Sequence, residues 1–495
     1  MLGLWMMATM VCCGAWAVDN PNIVVVITDD QGYGDLGAHG NDIIRTPNLD
    51  ALHASSTRID PFYVSPVCAP TRASLMTGRY NYRTGVVDTY IGRAMMHTSE
   101  VTLAEVLRSG GYRTGLFGKW HLGDNYPLRP QDQGFDEVLM HRGGGIGQPS
   151  DPFDNRYTNP RLQHNGEEKV YEGYCTDIFF NEAMAWMETQ DRPFFTYIAT
   201  NAPHTPLEVP ESYAARYRDK GLTPELEKLY GMVENIDDNM GRLQAFLQDK
   251  GLAESTLLVF LTDNGPQFSR GLQRYSADMR GAKGSVYENG IRVPCFFHWP
   301  DKLPAGRVID TPAAHIDLLP TLAAFAAVEL PTDLYTDGRN LAPLLRGETT
   351  DRPQRPLFFQ WHRGDAPEPF RDAAVRLGDF KLVNGEELYN LAEDPAEKNN
   401  VAADNPDTVT ALREDYEAWF ADVSATRGYA PPRIVLNPDH EPRTVLTPQD
   451  WRDSEGWPRS RYAHWELNVA TPGDYTVTLD FVTPTDATKV LLEFG

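Results

Sequence analysis

Short apolar runs, each ending in a polar cluster, constrain this chain more than any other feature of its sequence. Residues 23–28 run into Asp29 and Asp30, and residues 114–117 into Gly118-Lys119-Trp120-His121. Residues 194–199 run into Thr200-Asn201-Ala202-Pro203-His204, and residues 257–262 into Asp263-Asn264-Gly265. With a fifth run at 295–298, they are too short for helices and read as buried strands. Helical patterns lie between them, at 101–108 before Gly110, 177–188, 225–249 and 315–326. In the third of these Leu226, Leu229, Val233, Ile236, Met240, Leu243 and Leu247 recur at helical spacing, which is a core stripe. Strands alternating with helices predict an α/β fold, a large mixed and mostly parallel sheet sandwiched by helices. Open sheets of this kind bind ligands beyond the carboxyl ends of their strands, so the four polar clusters are expected to converge on one site.

Two of those clusters and one further segment carry chemistry. Asp29, Asp30, Asp263 and Asn264 offer only oxygen, with no histidine among them, which suits one hard cation, Ca²⁺ or next Mg²⁺. A single Asp-Asp pair after a strand is more often a turn or helix cap; two acidic clusters after two strands favour the metal. The further segment is Ser65-Pro66-Val67-Cys68-Ala69-Pro70-Thr71-Arg72, where a short helix is predicted from Pro70 to Gly78. Cys68 then precedes a helix N-terminus, where free N–H groups and the positive dipole end favour an anion. Arg72, one turn in, can reach back to the same anion as a forked donor. The arrangement suits a nucleophile that attacks an oxyanion ester.

The same window fits the sulfatase signature C-x-P-S/T-R, and Gly111-Tyr112-Arg113-Thr114-Gly115-Leu116-Phe117-Gly118-Lys119-Trp120-His121 fits that family's G-Y-x-T-x-x-x-G-K-W-H. On these motifs the chain resembles the formylglycine-dependent type I sulfatases, arylsulfatase-like members of the alkaline phosphatase superfamily. The resemblance runs from about Asn22 to the region of Asn399. It implies an alkaline-phosphatase-like sheet and a smaller C-terminal α+β subdomain. It also implies that a formylglycine-generating or anaerobic maturation enzyme oxidises Cys68 to formylglycine (3-oxoalanine), replacing a thiol that is mismatched to a hard cation. The hydrated aldehyde would bind one Ca²⁺ together with Asp29, Asp30, Asp263 and Asn264, attack sulfur and pass through a sulfated-enzyme intermediate. By analogy and by charge, Arg72 supports the hydrate and the acidic cluster, while Lys119 and Lys283 clamp sulfate oxygens. His121 holds the hydrate and removes its proton during sulfate release, and His204 protonates the leaving alcohol. Lys283 is selected over Arg280 by the pattern Gly281-Ala282-Lys283-Gly284, whose glycines would let the backbone approach the anion. Related two-zinc phosphatases use Asp and His, and the absent histidine ligands argue against that branch.

The implied function is a sulfuric ester hydrolase acting on a sulfated carbohydrate, of galactose or N-acetylgalactosamine type, in preference to a small aryl sulfate. The rival readings are a phosphonate monoester or phosphodiester hydrolase on the same scaffold, and a non-catalytic glycan-binding relative. Rim loops at residues 141–148 and at Trp361-His362-Arg363 could contact the sugar or merely pack. A formal charge of −24 excludes nucleic acid as a favoured partner and repels an anionic substrate, so the site must be locally basic. Residues 4–17 form an apolar stretch ending in Ala15-Trp16-Ala17, which reads as a signal peptide over residues 1–17 and places the mature enzyme in the periplasm or outside the cell. No other run approaches the roughly 20 residues of a membrane span.

The expected organisation is a catalytic domain over 18–350, an antiparallel-sheet subdomain over 351–435 and a β-rich extension over 436–495. The subdomain strands are read at 356–361, 373–377, 381–383 and 387–389, with a closing helix at 408–420. The extension rests on Trp451, Trp457, Trp465 and the alternating residues 473–481. Of five cysteines, Cys12 and Cys13 leave with the signal, and Cys175 and Cys295 are read as buried free thiols, although an oxidising compartment would allow them to pair.

Overall fold

Asn22–Thr28 (β1) is buried along its whole length because it feeds two cores at once. Ile23, Val25 and Ile27 face Leu75, Met76, Leu107 and Leu322, whereas Val24 and Val26 face Phe179, Ile236 and Met240. Alternation along a strand sends successive side chains to opposite faces, so both faces of the sheet are covered. The helices Cys68–Thr77, Leu103–Ser109 and Leu318–Phe325 lie on the first face, and Pro47–Ser55, Cys175–Glu188 and Pro224–Asp249 on the second. The structure is a computed structural model that describes residues 20–267, 273–350, 354–452 and 464–480. The expected signal segment lies outside these residues.

The other strands of this sheet are Thr57–Ile59 (β2), Arg113–Lys119 (β3), Glu137–His141 (β4), Arg161–His164 (β5), Glu167–Val170 (β6), Phe194–Ala199 (β7), Thr256–Thr262 (β8), Cys295–His298 (β9) and Val308–Ile309 (β10). They lie in the order β10-β2-β9-β8-β1-β7-β3-β4-β5-β6. Pairing is parallel from β8 through β1, β7 and β3 to β4, and antiparallel at β9 on β8 and β5 on β4. The mixed, mostly parallel sheet is therefore the one expected, and its four adjacent central strands are those that end in polar clusters. The helix expected from Pro70 starts two residues earlier, at Cys68, and ends at Gly78, whose φ of 66° closes it. Pro70 sits in the first turn, where backbone N–H groups have no intrahelical partner and its missing N–H costs nothing. The helix expected over 315–326 is shorter, Leu318–Phe325.

A second, four-stranded antiparallel sheet joins Leu357–Gln360, Ala373–Leu377, Phe380–Val383 and Glu387–Asn390 in sequence order. The helix Pro406–Ala425 covers it through Leu412, Tyr416, Trp419 and Val423, with Trp419 stacked on Phe358 at 4.9 Å. Buried Lys381 fastens this sheet to the catalytic part, with its ammonium 3.0 Å from Glu288 and 2.8 Å from Glu397. Among the described residues no helix is long and apolar enough to cross a membrane. Cys68, Cys175 and Cys295 are free and buried.

The C-terminal extension differs from the expected β module. Ile434–Leu436 and Leu467–Val469 form one short parallel pair, and no strand covers residues 473–480, where Tyr475, Val477 and Leu479 stand exposed. Phe481 and Trp457 lie outside the described residues. Alternation alone could not make a strand there, because the segment has no ladder partner among the described residues. The rest of the extension wraps loops of the catalytic part: Asn125 donates to Val445 O at 3.1 Å, Val435 N to Tyr126 O at 3.0 Å, and Tyr126 stacks on His440 at 4.5 Å.

Asp450 shows the cost of that contact. Burial and the neighbouring Asp124 carboxylate push its carboxyl up to about 8, while Arg142 pulls it down. An unfolded aspartate titrates near ~4. Between these values the folded chain holds a proton that the unfolded chain has lost, so stability contributed here falls as pH rises from about 4 to about 8. Asp450→Asn is expected to flatten that fall, measured as urea midpoints at about pH 5 and about pH 8. A variant with the same slope as the parent would show that Asp450 is not the group responsible.

Candidate active site

The ladder of the central sheet continues past the strand ends and holds the polar clusters together. Asp263 N–H donates to Thr28 O at 3.0 Å, Thr200 N–H to Ile27 O at 3.0 Å and Asp29 N–H to Ala202 O at 3.1 Å. Asp30 takes the left-handed conformation with φ 64°, which an Asp tolerates better than most residues but which still costs energy. Its surroundings hold it there: its N–H donates to Asp263 Oδ1 at 3.2 Å, and Arg274 Nη1 donates to its carbonyl at 2.8 Å and to Asp35 at 2.9 Å.

Three carboxylates face three cations. Lys119 Nζ is 2.7 Å from Asp29, Lys283 Nζ is 2.5 Å from Asp30, and Arg72 grips Asp263 Oδ2 with Nη2 at 2.8 Å and Nε at 3.2 Å. Arg72 also donates to Lys119 O at 3.0 Å, which ties the Cys68 helix to the end of β3. The pocket is thus charge-balanced, not basic as the net charge had led us to expect. Taking ions this far from water costs several kcal/mol each, so each member of a pair depends on the other. Burial alone would raise Asp30, yet Lys283 and His204 outweigh it and hold its carboxyl well below the usual range. Burial and the Asp29 charge push Asp263 up to about 6 despite Arg72 and Lys119.

The pairs leave Asp29 Oδ1, Asp30 Oδ2 and Asn264 Oδ1 buried with no hydrogen-bond partner. Orphaned oxygens of this kind are costly unless something satisfies them. Candidate ligand atoms of Asp29, Cys68 and Asp263 lie within 4.8 Å of one another, as do those of Asp29, Asp30 and His204. The residues therefore fit a hard cation on oxygen, with Asn264 oriented by its amide on Asp30 Oδ1 at 2.7 Å.

Cys68 is the first residue of its helix, and Thr71 Oγ1 donates to Ser65 O at 3.2 Å in the preceding loop. Burial raises its thiol above the ordinary range even though Lys119 and Lys283 oppose the shift, so the unmodified side chain is not a thiolate nucleophile. His121 Nδ1 is 3.4 Å from its sulfur, and His121 Nε2 is 2.9 Å from Thr89 O. A carbonyl only accepts, so Nε2 carries the proton and Nδ1 turns its lone pair to residue 68. Burial and Lys119 hold this imidazole well below its ordinary value, which keeps it neutral.

His204 Nε2 stands 3.7 Å from Asp30 Oδ2, and its Nδ1 is 2.6 Å from Thr205 O. Burial and Lys283 hold it down at about 4. All ten residues singled out in the sequence thus meet at one end of the sheet. Gly284 uses its backbone to reach Pro66 O at 2.8 Å, beside Cys68, and Trp361 Cζ3 lies 2.9 Å from where a Cβ would stand. Residues missed in the sequence are Arg274, which no motif marks, and Thr89, whose contribution is a backbone carbonyl. Trp361-Arg363 does reach this rim, since Arg363 donates to Thr89 Oγ1 at 3.0 Å and stacks over Tyr90 at 4.2 Å.

A mostly parallel sheet that delivers carboxylates, lysines and a helix-start cysteine to one edge defines a hydrolase of oxyanion esters with an alkaline-phosphatase-like fold. The sulfatase family model matches residues 21–328, and a model described as N-sulphoglucosamine sulphohydrolase, C-terminal, matches residues 282–418. Arylsulfatase A of Homo sapiens is 34% identical over 483 residues, covering 85% of this chain and 91% of that protein. N-acetylgalactosamine-6-sulfatase of Canis lupus familiaris is 33% identical over 404 residues, covering 74% of this chain and 72% of that protein. The solved structure of Ps i-CgsB in complex with k-i-k-neocarrahexaose superposes with a TM-score of 0.75 at 31% identity, covering 83% of this chain and 95% of that one. The chain belongs to the sulfatase family and is a sulfuric ester hydrolase.

Adding Ca²⁺ to chelator-treated protein is expected to raise its thermal midpoint, by about 2.7 kcal/mol of stability at a hundredfold excess over Kd. Asp30→Asn should remove most of the rise, as read by scanning calorimetry. A parent protein indifferent to both Ca²⁺ and Mg²⁺ would exclude a metal at the acidic cluster.

Proposed function

We propose that the chain removes sulfate from a sulfated carbohydrate, of galactose or N-acetylgalactosamine type, through residue 68 converted to formylglycine beside one Ca²⁺, with Mg²⁺ as the second choice. The observation that carries this reading is Cys68, buried at the start of its helix within reach of Asp29, Asp263 and His121. When present, the hydrated aldehyde supplies an attacking hydroxyl, and the cation supplies an electrophile for the sulfate oxygens.

The chain's own residues do the remaining work. Asp29, Asp30, Asp263 and Asn264 would hold the cation, the first two and Asn264 each with an oxygen that otherwise lacks a partner. Lys119 and Lys283, paired with Asp29 and Asp30 here, would bind sulfate oxygens once a cation shared those carboxylates, and developing charge would strengthen both contacts. An anionic ester beside His204 offsets the Lys283 charge that holds this imidazole low, which favours its role as the proton donor to the leaving alcohol. His121 Nδ1 takes the hydroxyl proton at residue 68. Arg72 stays on Asp263 and Lys119 O and fixes the helix start.

The carbohydrate preference draws support from relatives named for N-acetylgalactosamine-6-sulfate and from a similar structure holding neocarrahexaose. The Trp361-Arg363 loop, tied to Thr89, is the surface we assign to the sugar. With this reading go the domain limits 18–350, 351–435 and 436–495, a maturation enzyme acting on Cys68, and a periplasmic or secreted location.

Two measurements test it. Peptide mass analysis of protein made with a maturation enzyme is expected to find the aldehyde-bearing residue at position 68. Free sulfate released from defined sulfated galactose and N-acetylgalactosamine compounds should exceed that from an aryl sulfate, and turnover of a phosphonate monoester should be the lowest. Cys68→Ala should lower sulfate release at least about 10³-fold. Full activity with an intact thiol, or faster phosphonate than sulfate hydrolysis, would end the proposal.

A further inference from the structure

The C-terminal extension reaches the catalytic histidine. Gln449 is 6% exposed and His121 is 3% exposed. Gln449 Nε2 lies 2.5 Å from Thr89 O and 3.4 Å from His121 Nε2, so two N–H donors converge on one carbonyl. That carbonyl has two lone pairs, and the histidine and the glutamine take one each. The carboxamide is oriented by the same logic as the imidazole, since only its nitrogen can donate to Thr89 O.

The segment bearing Gln449 is locked to the loop bearing Thr89. Gly92 N–H donates to Gln449 O at 3.1 Å, and Arg452 Nη1 donates to Ile91 O at 2.9 Å. Trp465 Nε1 donates to Thr447 O at 2.9 Å. From the other side, the buried Asp88 carboxylate receives Trp361 Nε1 at 3.2 Å, Arg363 Nη1 at 2.5 Å and Gly364 N–H at 3.3 Å. The loop that bears Thr89 is therefore held between the extension and the second sheet's first loop.

We infer that Gln449 is a positioning residue for His121. By pinning Thr89 O and covering it from water, it keeps the imidazole proton on Nε2 and the Nδ1 lone pair on residue 68. The inference rests on the reading of His121 as the group that takes the proton there. It assigns to the extension a part in the reaction, which the sheet and motifs of the catalytic part do not supply.

The test uses the full chain. In protein left unconverted at Cys68 and labelled with ¹⁵N-histidine, two-bond proton–nitrogen correlations report the His121 tautomer, with His121→Gln identifying its signals. The parent is expected to show Nε2–H alone, and Gln449→Met, which keeps length without a donor, to show a mixture. In converted protein, Gln449→Met should lower kcat about 5–20-fold, the effect of one misplaced hydrogen bond on a general base. KM should fall with it, because His121 acts after the alcohol has left, so kcat/KM stays within about twofold. Gln449→Glu, which can accept but not donate when ionised, should shift in the same direction, and it serves if the methionine variant folds poorly. A parent with Nδ1–H, or variants with parental kcat and a single tautomer, would overturn the inference. So would a loss confined to kcat/KM. Failure of the broader reading looks different: the parent itself would release no sulfate from any ester.

Discussion

Every other feature of the site depends on three buried ion pairs at the ends of adjacent parallel strands. Lys119–Asp29, Lys283–Asp30 and Arg72–Asp263 place carboxylates where water does not reach, at a desolvation cost of several kcal/mol per ion. The strands beneath them offset that cost with side chains such as Val24, Val25 and Val26, each contributing about 1.5–3 kcal/mol on burial. Pairing keeps the cluster neutral, and on the proposed reading neutrality would let a divalent cation and an anionic ester enter together. A lysine held by a carboxylate can exchange that partner for a sulfate oxygen without ever facing the apolar interior alone. The negative charge of the whole chain is then of little consequence at the pocket, because it lies outside this locally balanced set.

Most of the fold and the site was legible because both are written in local patterns. A run such as residues 257–262 reads as a strand in any context, and the residues that follow a parallel strand in an open sheet have a fixed destination. The motif around Cys68 reports the helix but not its start, because Pro70 suits any position in the first turn equally. What could not be read depends on contacts between distant segments. Gln449 meets Thr89 across 360 residues, and one of the two groups is a backbone carbonyl that carries no sequence signature. Arg274 joins Asp30 and Asp35 from a stretch with no motif. Residues 473–480 differ for the opposite reason, since a strand pattern without a neighbouring strand among the described residues has nothing there to pair with.

The second sheet and the extension together change how the rim should be regarded. Lys381 anchors the sheet through Glu288, Trp361 packs on Gly284 beside the Lys283 loop, and Asp88 gathers three donors from residues 361–364. On the reading that residues 361–363 contact the sugar, substrate selection and catalytic geometry share the loop at residues 88–93. On that reading, changes in the outer loops that suit a different sugar act on the same backbone that orients His121, which would link specificity and rate mechanically.

Cys68 is only 3% exposed, in the first turn of a helix packed beneath the carboxyl edge of the sheet. No second protein could seat that sulfur in its own catalytic cleft without peeling the helix and its loop away from β3. If residue 68 is converted as proposed, the modifying enzyme has to meet it earlier, as a pliant ribbon during synthesis. On the proposed reading, the yield of competent molecules is decided by a race between modification and collapse of the globule, and a chain that folds too soon keeps the wrong atom in place.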